Sequence, residues 1–247
     1  MSRRPKSPPV TGRIWLYGQH AVAAALTNPD RPCYRVLATD SALPGIEAAA
    51  KVRAIIPELV ASDRLGRLLP PDAPNQGLAA AVGPLPERDL SELGTDDSAR
   101  SLVLALDQVS DPRNLGAMLR TAAALGVEGV ILPQRRSAEL GGSCAKAASG
   151  ALDLVPIVEV VNLARSLAEL KRRGYWIVGL DAAGPAALET LDLPERVVLV
   201  LGSEGEGLRR LVLDACDHVA RLEIDVRMES LNVSVAAGIA LYLLARR

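Results

Sequence analysis

The sequence is poor in aromatic residues, which make up 2% of its 247 residues, and phenylalanine is absent. Hydrophobic residues nevertheless account for 49% of the chain, so leucine, valine, isoleucine and alanine have to build the core. Proteins that hold single-stranded RNA on aromatic platforms stack its bases on Phe, Tyr or Trp rings. The composition therefore argues against that mode of nucleic-acid binding.

Cysteine and histidine are also scarce. Three cysteines are widely separated and two histidines are isolated, a pattern that predicts neither a disulfide framework nor a metal site. The chain has no run of about 18 apolar residues that could span a membrane. Its basic N-terminal segment is not followed by the apolar core of a signal peptide. We therefore expect a cytoplasmic protein without a metal or membrane contact.

The chain has no excess of positive charge either, because its formal net charge is −1. A nucleic-acid partner would have to be held by local clusters of cations rather than by the overall field. Each cluster could instead be a solvated helix end, where cations are favoured. The clusters are Arg3, Arg4, Lys6 and Arg13, then Arg135-Arg136, Lys171-Arg172-Arg173, Arg209-Arg210 and Arg246-Arg247.

Proline and charge indicate the boundaries of two structured parts. Residues 1–12 are basic and rich in proline, which predicts a disordered tail, and residues 84–101 have the composition of a linker. Between them we expect a small α/β domain at 13–83. Its predicted helices are Gln19–Leu26 and Gly45–Ala54, and its predicted strands are Tyr34–Ala38 and Leu78–Val82.

Residues 102–247 alternate between strand and helix patterns, which predicts a parallel sheet with helices on both faces. Ligands of such sheets bind beyond the carboxyl ends of the strands. The loops expected to carry a site are therefore 107–114, 202–207 and 223–232. The predicted strands are 102–106, 127–132, 155–158, 175–180, 197–201 and 218–222, and the predicted helices are 112–126, 138–151, 163–173, 207–216 and 231–245.

The first loop reads DQVSDPRN and leads into a helix that contains Arg120. Capping by Asp111 or Asn114 would explain one of its polar residues. Capping does not explain Arg120, whose sequence neighbours are apolar, because a buried arginine is costly unless it is paired or faces a site. This pattern predicts that Arg120 belongs to a functional site.

The second loop has the glycine order G-x-x-G-x-G over residues 202–207, which matches neither the dinucleotide fingerprint nor the P-loop. Its two glutamates would repel a diphosphate, so a dinucleotide oxidoreductase is the weaker interpretation. Glycines allow a ligand to approach the backbone closely. The loop could also be only a glycine-rich turn before a helix. In the third loop, Ser230, Asn232 and Ser234 precede an apolar helix, and capping accounts for only one of them.

Together the three loops resemble the SpoU/TrmH family of RNA ribose methyltransferases, in the SPOUT superfamily. The matching stretches are DQVSDPRNLGAMLRTAAALGV, VVLVLGSEGEGL and SLNVSVAAGIALY. Residues 17–82 resemble the small RNA-binding domain of members that act on large-subunit ribosomal RNA, through YGQHAVAAAL and NQGLAAAV. Those members have His-Gln-Gly where this chain has Asn75-Gln76-Gly77.

The resemblance implies an α/β domain with a C-terminal trefoil knot, a homodimer, and S-adenosylmethionine as methyl donor. It places Gly202, Leu222, Ile224 and Leu231 at the donor, and Asn114, Arg120, Glu204, Ser230 and Asn232 at the catalytic positions. Arg120 would either remove the ribose proton or orient a phosphate and stabilise charge. Asn114 would hold Arg120 or the ribose, and Glu204 would pair with Arg120 or contact the substrate. Ser230 and Asn232 would fix the last loop around the donor.

One segment departs from the family pattern. Members have Ile-Pro-Met-x-Gly where this chain has Leu222-Glu223-Ile224-Asp225-Val226, which leaves open the shape of the loop and its donor affinity. The resemblance points to methylation of a guanosine ribose in 23S rRNA. The alternatives are transfer RNA as substrate, or a catalytically silent RNA-binding protein of ribosome assembly.

Overall fold

The computed structural model describes residues 13–95 and 100–246, and the chain divides into two compact units, with the boundary between Pro86 and Glu87. The predicted tail, residues 1–12, lies outside the described residues. The stretch 84–101 contains the division between the units. Part of this stretch is packed, because Leu90 and Leu93 are buried in the core of the second unit.

The first unit is a four-stranded sheet with three short helices. Its strand order is β1-β4-β2-β3, in which β4 is antiparallel to both β1 and β2. All residues of β4 are buried, and its alanines leave room for close packing. Strands β1 and β3 and helix α3 were not predicted, since they are only a few residues long. The elements are β1 Ile14–Tyr17, α1 Gln19–Thr27, β2 Cys33–Ala38, α2 Glu47–Val52, β3 Glu58–Leu59, α3 Ser62–Gly66 and β4 Leu78–Val82.

A tight turn at Asn75-Gln76-Gly77 holds the start of α1. Gln76 and Gly77 both have positive φ, of 55° and 74°. The Gln76 side-chain oxygen accepts a hydrogen bond from the Gln19 amide at 3.1 Å, and Asn75 Oδ1 accepts one from the Gly77 amide at 2.9 Å. This turn therefore satisfies an amide of the first helical turn, which has no partner within the helix.

The second unit contains a seven-stranded sheet with the order β7-β6-β5-β10-β8-β11-β9. All its neighbouring strands pair in parallel. Strands β6 and β7 begin two residues later than predicted, because the preceding residues close turns. The strands are β5 Ser101–Leu106, β6 Gly129–Pro133, β7 Ile157–Val160, β8 Trp176–Leu180, β9 Ala186–Ala187, β10 Arg196–Leu201 and β11 His218–Arg221.

Among the described residues, four α-helices connect these strands and a fifth follows the last strand. All five are shorter than predicted, two of them markedly. The helix expected over 138–151 is shortened because Ser149 and Gly150 have positive φ, of 50° and 96°. The helix expected over 207–216 begins only at Arg210, after a glycine turn. In the described part of the chain, no helix combines the length and hydropathy needed to cross a membrane. The helices are α4 Pro112–Ala124, α5 Gly142–Ala148, α6 Leu163–Arg172, α7 Arg210–Leu213 and α8 Val233–Ala245.

The central strand β5 is buried along its whole length, which requires packing on both faces of the sheet. On one face, the alternate β5 residues Val103 and Ala105 share a core with Leu167 of α6. Helix α4 packs against α5 and α8, and α8 contacts β10. The prediction of a parallel α/β domain, preceded in the chain by a small α/β domain, is confirmed.

Candidate active site

Side chains from the three predicted loops meet at the carboxyl edge of the sheet. Asn114 Nδ2 donates to Glu204 Oε1 at 3.0 Å, and Asn232 Nδ2 donates to the same oxygen at 2.7 Å. Asn232 Nδ2 also lies 3.2 Å from Asn114 Oδ1. The amide of Val233 adds a third donor to Glu204 Oε1 at 3.3 Å. We call Asn114, Glu204 and Asn232 the polar triangle.

The helix caps place two members of the triangle. Asp111 caps α4, because its carboxylate accepts a hydrogen bond from the amide of Arg113. This hydrogen bond lowers the pKa of Asp111. Asn114 therefore lies in the first turn of α4. Asn232 caps α8 through a bond from the Ser234 amide at 3.0 Å. Its Oδ1 is used for capping, and its Nδ2 is left for the triangle.

A cavity of about 760 Å³ opens beside the triangle. This size falls within the range of small-molecule sites, roughly 300–1,000 Å³. All four residues predicted for the donor line it, as do Glu204, Ser230 and Asn232. The lining residues are Leu180, Asp181, Ala182, Leu201, Gly202, Ser203, Glu204, Gly205, Glu206, Gly207, Leu222, Ile224, Glu229, Ser230, Leu231, Asn232, Val233 and Ala236.

The charge of the cavity has one sign. Four carboxylates line it, from Asp181, Glu204, Glu206 and Glu229, and these described lining residues include no Lys, Arg or His. Such a cavity favours a ligand that carries positive charge and disfavours a phosphate. Elsewhere too, the described residues contain no group of three His, Cys, Asp or Glu side chains that could hold a metal ion.

The floor of the cavity depends on two glycines at close approach. The backbone of Ser203 pairs with that of Gly207 in both directions, at 3.2 and 3.1 Å, which folds the loop back on itself. A Cβ on Gly202 would lie 2.1 Å from the carbonyl carbon and oxygen of Gly207. Gly207 has a φ of 66°, a conformation that glycine adopts without strain.

Replacing Gly202 with alanine should therefore open this loop. We expect donor affinity to fall by about 10–100-fold, the equivalent of the 1–3 kcal/mol that overpacking typically costs. Isothermal titration with S-adenosylmethionine, the predicted methyl donor, measures the change. Gly141→Ala is the matched control, since nothing lies within 4 Å of a Cβ there. Equal affinities for the two variants would contradict this explanation of Gly202.

Comparison with known proteins decides the family. Residues 101–242 match the model of the SpoU rRNA methylase family, and residues 15–88 match the model described as RNA 2′-O ribose methyltransferase substrate binding. The chain belongs to the SpoU rRNA methylase family. The predicted family and reaction class, an RNA 2′-O-ribose methyltransferase, are therefore confirmed.

Relatives of this SpoU-family chain match nearly its whole length. The 23S rRNA (guanosine-2′-O-)-methyltransferase RlmB of Xylella fastidiosa is 41% identical over 92% of this chain and 94% of its own. RlmB of Pseudomonas aeruginosa is 41% identical over 94% of this chain and 96% of its own. The crystal structure of the SpoU methyltransferase AviRb from Streptomyces viridochromogenes with AdoMet has a TM-score of 0.80 at 22% identity, covering 95% and 90% of the two chains. This last likeness shows the shared fold.

Arg120 does not join the triangle. The prediction placed it in a site because its sequence neighbours are apolar, but it lies on the exposed side of α4 while Leu119 and Ala122 are buried. The burial argument was therefore wrong, although the position remains the one that matches the family motif. Among the described residues, no hydrogen bond or ion pair joins Arg120 to Asn114 or Glu204, and these two residues bind each other. The alternative roles, in which Asn114 holds the ribose and Glu204 contacts the substrate, stay predictions.

The segment that departs from the family pattern is held by its own side chains. Asp225 accepts from the amide and the guanidinium of Arg227, at 3.0 and 2.8 Å, and these bonds lower the pKa of Asp225. Leu222 and Ile224 still line the cavity. An aspartate turn thus stands where the family has proline and glycine. Ser230 also lines the cavity, at an exposed position.

Sequence reasoning missed Asp181, which follows β8 directly. Its Oδ1 accepts from the Ala183 amide at 2.8 Å, which fixes the carboxylate, and a Cβ on Gly207 would lie 3.2 Å from Oδ2. Oδ2 therefore faces the glycine loop and the cavity. The signal was its position, because a polar residue immediately after a predicted parallel strand lies at the edge where ligands bind. Glu206 and Glu229 lie in two of the loops expected to carry the site, but neither was named among the site residues.

An ion pair with a buried carboxylate supports the loop. Asp107 is fully buried at the end of β5, and its carboxylate accepts from the amide of Arg209 at 3.0 Å and from its Nε at 2.7 Å. The Asp107 amide donates to the Leu201 carbonyl at 2.7 Å. Asp107 thus fixes both ends of the segment that contains the glycine loop.

Asp107→Ala is expected to lower the free energy of unfolding by about 2–3 kcal/mol. Hydrogen bonds to a charged group contribute about 1.5–3 kcal/mol, and Arg209 can regain water because its side chain is 45% exposed. Urea denaturation measures the loss. Asp214→Ala, at an exposed pair with a 3.9 Å separation, should change stability by less than about 0.5 kcal/mol. An equal, small change in both variants would show that Asp107 is not a structural anchor.

Proposed function

We propose that this chain transfers a methyl group from S-adenosylmethionine to the 2′-hydroxyl of a guanosine ribose in 23S rRNA. The observation that carries the proposal is the polar triangle at the mouth of a cavity whose wall contains all four residues predicted for the donor. The RlmB relatives, named for 23S rRNA and guanosine, support the substrate.

The cavity fits the donor chemically. S-adenosylmethionine has a positive sulfonium and a positive ammonium group, which suit a cavity lined by four carboxylates. Leu222, Ile224 and Leu231 would contact its adenosine part, and the glycine loop would offer backbone groups. Asp181 would accept a hydrogen bond from one of its hydroxyl or ammonium groups. When bound, the donor supplies a methyl carbon that is already activated for displacement.

The protein's task is then to orient the ribose and exclude water. Positioning of two reactants can contribute on the order of 7–11 kcal/mol in favourable cases. Asn114 and Asn232 are held by Glu204, so their amides are fixed before the ribose arrives. Arg120 is exposed and makes no hydrogen bond or ion pair with any described residue, which leaves its guanidinium for a phosphate. Because guanidinium stays protonated, we assign it charge stabilisation rather than proton removal.

We also propose that the enzyme is a homodimer that works in the cytoplasm, where ribosomal RNA is made. Helix α8 exposes Val235, Ile239 and Tyr242, whose side chains are 50%, 42% and 54% exposed. Their spacing of four and three residues places them on one helix face. An apolar stripe of this kind is typical of a subunit interface. The trefoil knot implied by the family stays a prediction.

Mapping 2′-O-methyl groups in total RNA from a deletion strain tests the proposal. We expect one guanosine of 23S rRNA to lose its methyl group and to regain it with the wild-type gene but not with Arg120→Ala. Loss of a methyl group from a transfer RNA instead would show that transfer RNA, and not 23S rRNA, is the substrate. An unchanged RNA methylation pattern would favour the catalytically silent protein.

A further inference from the structure

The carboxyl edge of the seven-stranded sheet is divided by charge. On one side, after β8 and β10, lie the carboxylates of Asp181, Glu204 and Glu206. On the other side, after β6, lie Arg135 and Arg136, both exposed. Asn114 lies between the two sides, because it follows β5, which pairs with β6 and β10, and it joins Glu204 of the acidic side in the polar triangle.

The loop that bears the two arginines is anchored at both ends. The Gln134 amide donates to the Val160 carbonyl at 2.9 Å, and Ser137 Oγ donates to the Pro133 carbonyl at 2.7 Å. The amide of the buried Ala138 donates to the carbonyl of Val109, in the loop after β5, at 2.8 Å. We call residues 134–138 the arginine loop. Its ends are fixed while its cations are exposed.

Arginines in the neighbouring loops have carboxylate partners. Arg113 pairs with Asp111, Arg209 with Asp107, and Arg227 with Asp225. Arg135 and Arg136 make no ion pair or hydrogen bond with any described residue, and Glu139, three or four residues on, pairs with neither. Two unpaired cations close together attract phosphates strongly in a chain whose net charge is −1.

The spacing suits RNA that is bound at the triangle. Neighbouring strands lie about 4.8 Å apart, so the end of β6 is roughly 10 Å from the end of β10. One nucleic-acid strand has a phosphate about every 3.4 Å along the helix axis. The arginine loop is thus within reach of phosphates a few nucleotides from a ribose held by Asn114 and Glu204.

We propose that Arg135 and Arg136 bind the phosphates that flank the target nucleotide, so that RNA enters from the β6 side and the methyl donor from the β8 side. This inference rests on the proposed function, and it identifies an RNA-contact surface in the methylase unit. Phosphate contacts fix the register of a nucleic acid without reading its sequence. The arginine loop would therefore position the RNA, and recognition of the guanosine would lie elsewhere.

Binding of protein-free 23S rRNA, measured across a series of salt concentrations, tests this inference. The double variant R135Q/R136Q should bind about tenfold more weakly at low salt. The slope of log affinity against log salt should decrease by about 1.4–1.8, since each phosphate contact contributes about 0.7–0.9. Arg172→Gln removes an exposed charge at the end of α6, on the opposite edge of the sheet, and should leave the slope near that of wild type.

Two further measurements keep the result interpretable. Titration with S-adenosylmethionine should give wild-type affinity for the double variant, which shows an intact cavity. Glu139→Lys, which adds a cation beside the arginine loop, should tighten RNA binding, and a damaged fold cannot produce that gain. A wild-type salt slope in R135Q/R136Q, an equal effect of Arg172→Gln, or no gain from Glu139→Lys would overturn the inference. A wild-type protein that binds no donor would instead contradict the proposed function.

Discussion

Replacing Arg120 with alanine is expected to lower turnover by about 10²–10³-fold and to leave the affinity for the methyl donor unchanged. Removal of one preorganised donor of charge stabilisation typically costs an enzyme this factor. Arg120 does not line the cavity, so the donor loses no contact when the side chain is removed. Single-turnover methylation and donor titration on the same preparation separate the two effects.

Arg120→Lys distinguishes the two roles considered for this residue. A lysine keeps the positive charge but loses the planar fork that binds phosphate in a bidentate manner. If Arg120 stabilises charge, lysine should restore part of the rate at neutral pH. If Arg120 instead removes the ribose proton, lysine should shift the pH dependence of the rate towards its own, lower pKa. Near-normal turnover of Arg120→Ala would remove the residue from the mechanism.

Replacing Glu204 with alanine should lower turnover by about 10²-fold and weaken donor binding as well. Its Oε1 accepts hydrogen bonds from Asn114, Asn232 and Val233, so three donors from two segments lose their common acceptor. Net contributions of about 1 kcal/mol each, appropriate for an exposed carboxylate, sum to roughly the factor stated. Methylation rates and donor titration measure both consequences.

Glu204→Gln keeps an oxygen at the same place and should lose only about tenfold, because the charge that strengthens these bonds is gone but the geometry remains. Glu189→Ala, at an exposed position outside the cavity lining, controls for the loss of a carboxylate. If alanine and glutamine at position 204 reduce the rate equally, the negative charge matters and the shared acceptor does not.

Much of the fold could be predicted because its strands are long and apolar. Residues 102–106 and 197–201 are buried-type runs, and alternation with helices leaves few arrangements other than a parallel sheet. Short elements were missed, since Ala186–Ala187 and Glu58–Leu59 are defined only by their neighbours in the sheet. The helix predicted over 138–151 ends earlier than expected, because Ser149 has positive φ. A serine does not by itself predict that conformation.

The candidate site was predictable as far as loop position allows. The three loops were placed together because parallel strands end at one edge, and the resemblance to the family selected Asn114, Glu204 and Asn232 within them. Which side chains bind each other depends on distances of a few ångströms. Of the two roles expected for Glu204, pairing with Arg120 is not seen among the described residues, and contact with the substrate stays a prediction. Asp181 was not predicted because it belongs to no motif. Its orientation is set by a hydrogen bond from the Ala183 amide, which only the structure reveals.

The most direct measurement is the transfer of a labelled methyl group from S-adenosylmethionine to unmodified 23S rRNA, followed by alkaline hydrolysis. A ribose methyl blocks cleavage at its own nucleotide, because the 2′-oxygen can no longer attack the adjacent phosphate. We predict that the label is recovered in one alkali-resistant dinucleotide whose 5′ member is guanosine, and that Glu204→Ala abolishes most of it. Label recovered in mononucleotides, which indicates a methylated base, or no transfer by a protein that binds the donor, would contradict a ribose methyltransferase site at the polar triangle.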